Sequence, residues 1–156
     1  MKELILTQGK VALVDDEDFE ELSKHKWSAH FGRGKWYVIR NCKKRIIYLH
    51  RQIMNTPSNL IVDHIDGDGL NCQKVNMRNC TQSQNMQNSR RKCGVKGVGK
   101  ITGGLKYTAQ IHIHGTKIHL GSFSSLLDAA IAYNTAATHL FGEFANLNDL
   151  WQIGGE

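Results

Sequence analysis

From residue 61 the chain reads Ile61-Val62-Asp63-His64-Ile65-Asp66-Gly67-Asp68-Gly69. Two apolar β-branched residues run directly into a loop of aspartate and glycine, with a histidine at the junction. Few local folds suit that pattern. Ile61-Val62 suits a short strand, and Asp66 and Asp68 suit turns in which a side chain bonds its own backbone. A second short strand is predicted around Met77 to Cys80. Thr81 can then cap a helix running through Asn85 to Asn88. Strand, loop, strand, helix is the expected frame at the centre of the chain.

On either side the patterning differs. Lys10 to Val14 reads as a strand and Asp16 to Lys24 as a short helix. Trp27 to Phe31 and Lys35 to Asn41 read as a hairpin turning through Gly32-Arg33-Gly34. Tyr48 to Met54 reads as a short helix, closed off by Pro57. Beyond residue 94 three strands are predicted: Val95 to Ile101, Lys106 to His114 and Lys117 to Phe123. In the second of these, Tyr107, Ala109, Ile111 and Ile113 alternate with Lys106, Thr108, Gln110, His112 and His114. A period of two means one buried face and one polar, basic face. Ser125-Leu126-Leu127-Asp128 opens a final helix. Its Leu126, Ala129, Ala130, Tyr133, Ala136, Ala137, Leu140 and Phe141 recur at helical spacing, and Gly142 stops it.

With 156 residues the chain can form one medium domain or two small ones. A hydrophobic fraction of 40% excludes a disordered chain, and a net charge of +6 favours a polyanionic partner. The cations cluster. One basic stretch holds Arg40, Lys43, Lys44, Arg45 and Arg51, and a connector free of acids holds Arg90, Arg91, Lys92, Lys96 and Lys100. The acids gather in Asp15-Asp16-Glu17-Asp18-Phe19-Glu20-Glu21, where a helix N-terminus suits them better than a metal would. Cys42, Cys72, Cys80 and Cys93 are spaced too widely for the usual zinc knuckle. No apolar run is long enough to span a membrane. A reducing, cytoplasmic setting is expected.

The central segment can also do chemistry. Cutting a phosphodiester near neutral pH needs a base and a cation on the phosphate. His64 has the imidazole for the first. A carboxylate with an amide oxygen suits a hard cation that keeps water and phosphate as its other ligands.

Leu49-His50-Arg51, Val62-Asp63-His64-Ile65-Asp66-Gly67, Asn76-Met77-Arg78 and Thr81-Gln82-Ser83-Gln84-Asn85 resemble, in order and spacing, the HNH endonucleases of the homing type, with a ββα-metal core. The resemblance covers about Tyr48 to Asn88. It implies that Asp63 and Asn85 ligate one divalent ion, Mg²⁺ or Mn²⁺. It implies that His64 is the general base, and that Asn76 orients the imidazole and ties down the loop. Arg51 and Arg78 are candidate phosphate contacts, with a plain surface role as the alternative. Cys72 departs from the family's polar residue at that place and reads as tolerated variation.

Residues Val95 to Asn148 resemble the plant APETALA-two/ethylene-response-factor DNA-binding domain. The matching stretches are Lys96-Gly97-Val98, Lys106 to His112, Ile118 to Phe123, Asp128 to Tyr133 and Phe141 to Asn148. The resemblance implies a sheet laid in the major groove of double-stranded DNA. His112 and His119 stand where the family has arginine and tryptophan, so the plant target sequence does not carry over.

The expected fold is α+β: a β-rich unit with the ββα core over residues 1–88, a basic linker at 89–94, and a three-stranded antiparallel sheet on one helix over 95–150. The expected function is a metal-dependent DNA endonuclease of a phage or mobile element. Expected DNA contacts are Arg51, Arg78, Arg90, Arg91, Lys92, Lys96, Lys100, Lys106, Gln110, His112, Lys117 and His119. A monomer is favoured. A DNA-binding regulator with a decayed nuclease core and a non-specific defence nuclease are the alternatives.

Overall fold

The computed structural model describes residues 1–32, 34–43, 45–88, 94–101, 103, 105–113 and 115–154. Arg33, Lys44, Arg90, Arg91, Lys92, Cys93 and His114, which figured in the sequence reading, lie outside the described residues. The fold is α+β, with two compact units, Met1–Gln82 and Ser83–Glu156.

In the first unit β1 (Lys2–Ile5) and β2 (Val11–Val14) form an antiparallel pair, followed by α1 (Asp16–Ser23). β3 (Ser28–Gly32), β4 (Lys35–Cys42) and β5 (Arg45–Tyr48) then make an antiparallel sheet in chain order. α2 (Leu49–Ile53) leads to β6 (Ile61–His64) and β7 (Met77–Cys80), which pair antiparallel with Asp63 opposite Arg78. A 3₁₀ turn, Lys74–Asn76, precedes β7. The sequence reading missed β1 and β5. In β1 Leu4 alone is buried, and in β5 no residue is fully so, which leaves little alternation to read.

Leu4, Leu6, Ala12, Val14, Leu22, Trp27, Val38, Leu49 and Met77 share one core. Trp27 is 1% exposed, and its indole N–H donates to the Leu22 carbonyl at 2.9 Å. Truncating such a residue costs about 3–5 kcal/mol. Cys72 belongs to the same core and is 0% exposed. That corrects the reading of Cys72 as tolerated variation: it anchors the loop before Asn76 in the apolar interior. Burial, with the charges of Asp68 and Asp66, pushes its thiol up to about 12, so it behaves as a small hydrophobe.

The acidic run does begin a helix, with Asp16, Glu17 and Asp18 in its first turn. It also has a second task. The Lys74 ammonium pairs with Glu17 and Asp18, and the Lys74 N–H donates to the Asp15 carboxylate at 2.8 Å. α1 therefore steadies the turn that presents Asn76.

The second unit takes α3 (Gln82–Gln87) from its second residue onward. β8 (Val98–Lys100), β9 (Tyr107–Ile113) and β10 (Thr116–Phe123) form an antiparallel sheet with β9 central. α4 (Leu126–Phe141) lies on it through Ala129, Ala130, Tyr133, Ala137 and Phe141. The Ser125 side chain caps α4 by accepting from the Leu127 and Asp128 N–H groups at 3.1 and 3.3 Å. Alanines let the helix sit close, and Gly97 makes room for it. A Cβ at Gly97 would fall 1.9 Å from the Tyr133 ring. α4 is not the last helix: α5 (Leu150–Gly154) follows.

Candidate active site

β6 and β7 deliver the central residues, and the loop between them is built from its own side chains. Asp66 is its hub. One carboxylate oxygen accepts from the Asp68 N–H at 2.8 Å and the Asn76 amide at 3.0 Å; the other accepts from the Asn71 amide at 2.8 Å. Burial alone would raise the Asp66 carboxyl. The hydrogen bonds from Asn76, Asp68 and Asn71, and the nearby His64, outweigh it and hold the carboxyl below its usual range. The Asp68 carboxylate accepts from the Leu70 N–H at 2.9 Å. Both aspartates are turn formers, as their spacing suggested.

Asn76 spends its whole side-chain amide on this loop. Its oxygen accepts from the Asp66 N–H at 3.1 Å, and its NH₂ donates to the Asp66 carboxylate and the Asn71 carbonyl. Its backbone carbonyl accepts from the Ile65 N–H at 2.8 Å. It ties down the loop, and its carbonyl grips the backbone of Ile65, the residue after His64.

The loop is also laced to the rest of the unit. The Leu13 N–H donates to the Leu70 carbonyl at 2.9 Å, and the Cys72 N–H donates to the Leu13 carbonyl at 2.8 Å. Gly69 packs flat on β4. A Cβ there would lie 2.2 Å from the Trp36 carbonyl oxygen, so no other residue fits.

Among the described residues, the buried polar or charged ones are His50, Asp63 and His64, at 8%, 4% and 7% exposure. A buried carboxylate needs compensation. Here Arg78, opposite Asp63 on β7, donates through Nε at 3.0 Å and Nη2 at 2.8 Å to one carboxylate oxygen. The Arg78 guanidinium, read from the sequence as a candidate phosphate contact, pairs here with Asp63 and is itself largely buried. Arg51, the other candidate phosphate contact, also has protein partners. It donates to the carbonyls of Leu60, Thr56 and Pro57 and so staples the turn between α2 and β6.

His64 stacks edge-on with His50, ring centroids 5.2 Å apart, and His50 in turn contacts Tyr48 and Tyr37. Burial lowers the His64 pKa. The carboxylates of Asp66, Asp63 and Asp68 oppose that shift, while the Lys35 charge adds to it. The net effect keeps the imidazole neutral at neutral pH, the form that can accept a proton. Burial, with the charges of His64 and Arg51, pushes His50 down to about 3. Its Nδ1 has no hydrogen-bond partner among the described residues. The sequence reading gave His50 no role. Its position at the buried start of a helix could have signalled one.

Asn85 lies on α3 in the second unit and is half-buried. Among the described residues no group of three or more His, Cys, Asp or Glu side chains is placed to hold a metal. The oxygen donors proposed from the sequence, one carboxylate and one amide, form the kind of sparse set a hard cation accepts.

In the second unit the register puts His112 opposite Lys117 and Gln110 opposite His119. With Thr108 these share the sheet face turned away from α4. The Thr108 hydroxyl and His119 Nδ1 lie 3.2 Å apart. His112, Lys117 and His119 are exposed, and so is Lys106 just before β9. Lys100 pairs with Tyr107 and so belongs to the opposite parity, not to this face. Lys96 is half-buried and bonded within the unit. Its ammonium donates to the Gln87 carbonyl at 2.6 Å, its N–H donates to Asn148, and burial lowers its pKa. It braces the unit rather than facing solvent.

No described helix is long and apolar enough to cross a membrane. Residues 55–87 match the HNH endonuclease family. Over 149 residues the chain is 33% identical to an uncharacterized HNH endonuclease of Acanthamoeba polyphaga mimivirus, a span covering 92% of this chain and 77% of the viral protein. No solved structure matches the chain.

Proposed function

The chain belongs to the HNH endonuclease family, and from that premise we propose that it is a metal-dependent DNA endonuclease of the homing type, encoded by a phage or another mobile element. The observation that carries this reading is the buried, neutral His64 beside a buried carboxylate, on a loop locked by Asp66 and Asn76. A base held this way needs no reorganisation at the moment of reaction.

In this reading His64 takes a proton from water. The water oxygen bonds to phosphorus as the bond to the 3′ oxygen breaks. The products are a 5′ phosphate and a 3′ hydroxyl. Asp63, and by the family pattern Asn85, would hold one Mg²⁺ or Mn²⁺. Such an ion, when bound, neutralises charge on the phosphate and on the leaving oxygen. Arg78 holds the Asp63 carboxylate in place through two hydrogen bonds. The outer face of the β8–β10 sheet, with Lys106, Gln110, His112, Lys117 and His119, is the proposed DNA reader, akin to an ethylene-response-factor domain. Lys100 and the connector residues Arg90, Arg91 and Lys92 are proposed phosphate contacts.

The test is incubation with supercoiled plasmid carrying candidate target DNA, with Mg²⁺ and with EDTA. Nicked or linear product with Mg²⁺ alone supports the reading. Tight binding without cleavage on every substrate tried would favour a DNA-binding regulator. Cleavage that persists in EDTA would remove the metal.

A further inference from the structure

Resting on the endonuclease reading above, we infer that Lys35 holds a phosphate oxygen of the DNA strand being cut, as a cation supplied by the β3–β4 hairpin beside His64. Lys35 opens β4, opposite Gly32 at the hairpin tip. The strand's period of two puts Lys35 and Tyr37 on one face. The Tyr37 ring is 5.9 Å from His50, whose own ring is 5.2 Å from His64. That face of β4 therefore looks onto the two histidines. The ammonium lies 3.8 Å from where a Cβ on Gly67 would sit, three residues past the base, and its charge reaches the His64 ring.

This placement is held, not incidental. The close approach of Gly69 to the Trp36 carbonyl fixes the next residue of β4 against the same loop. Nor does the Asp66 carboxylate depend on the ammonium for its hydrogen bonds. The Asp66 carboxylate is already supplied by Asn76, Asn71 and the Asp68 N–H. Among the described residues Lys35 forms no ion pair, although the loop beside it carries several carboxylates. A cation kept beside the base without a carboxylate partner is placed for an anionic substrate. A lysine serves such a site as a mobile point charge.

The test compares Lys35→Ala and Lys35→Gln with Lys26→Ala, which removes the same charge from an exposed position between α1 and β3. Two quantities are read on one DNA: affinity in EDTA, and the single-turnover cleavage rate with Mg²⁺ at saturating protein. The expected result is a rate at least about tenfold slower for both Lys35 variants, recovery of most of it by Lys35→Arg, and an affinity lowered by no more than the loss of one phosphate contact. Should Lys35→Ala lose its fold by circular dichroism, Lys35→Gln carries the comparison. Cleavage by the Lys35 variants at the Lys26→Ala rate would overturn the assignment and leave the endonuclease reading standing. If the wild-type protein cuts no DNA, the endonuclease reading fails and the role of Lys35 goes with it.

Discussion

In the first unit His50, Asp63 and His64 are each less than one-tenth exposed, whereas in the second His112, Lys117 and His119 stand in solvent on the outer face of a sheet. The first set is expensive. A buried carboxylate and two buried imidazoles must be compensated by Arg78, by neutral protonation states and by the loop they sit on. The second set costs almost nothing to keep, because water solvates it. The contrast matches two tasks. A reaction centre gains from groups fixed before the substrate arrives. A reading surface gains from side chains that can adjust to what they meet.

The comparison breaks most easily at His64. His64→Ala should lower the cleavage rate by about 10²–10⁴-fold while DNA affinity stays within a few fold. His112→Ala should do the reverse, weakening binding and sparing the rate at saturating protein. A plasmid nicking assay beside a binding titration measures both. Retained cutting by His64→Ala would remove His64 from the mechanism.

The next largest effect falls on stability. Arg78→Ala strands the Asp63 carboxylate in the interior, and removing one partner of a buried pair costs about 3–5 kcal/mol. His112→Ala, on the exposed face, should stay within about 0.5 kcal/mol. Urea unfolding followed by circular dichroism decides it. Equal midpoints for the two variants would mean that Asp63 is not truly desolvated.

Protonation sharpens the same contrast. Folded His50 sits near a pKa of about 3, while an unfolded histidine titrates near about 6.5. Between those values the unfolded chain binds the additional proton. The stability from burying neutral His50 is thus complete above about pH 6.5 and falls as the medium is acidified towards the folded value. The slope approaches about 1.4 kcal/mol per pH unit. His64, whose pKa is also lowered, adds to it. Unfolding free energies between pH 7 and 5, above the carboxylate range, should show the decline. His50→Phe should flatten part of it. A flat wild-type profile would contradict the burial of both rings.

How much of this was legible in the sequence depends on how local the cause is. The strand alternation of Tyr107 to Ile113, the Ser125 cap and the Asp-Gly turn at residues 66–69 are set by neighbours within a few positions, and the structure follows them. The partners of Arg78, Arg51 and Lys96 are set by folding. A cation in a basic chain looks like a phosphate contact until the acceptor across the strand or turn is known. Cys72 was misread for the same reason, since nothing near it in sequence says that Leu4 and Val14 will enclose its loop. His50 was left without a role and Lys35 was passed over because tertiary packing brings the one against the His64 ring and the other beside Gly67.

The smallest expected effect lies on the exposed face, and it tests whether that face meets DNA at all. If Lys117 touches a phosphate, the slope of log affinity against log salt should become shallower by about one unit in Lys117→Ala, since each neutralised phosphate contributes about 0.9 to the slope. The loss should be the same on any DNA sequence, because a phosphate carries no base identity. His119→Ala, which removes a side chain held toward the Thr108 hydroxyl, should instead alter preference among sequences, as loss of a base-edge contact does. Titrations of each variant at several salt concentrations, on two unrelated DNAs, separate the two behaviours. If both variants bind as the wild type does, the outer face of the sheet is solvated surface, and DNA contact in the second unit must come from elsewhere in its sequence.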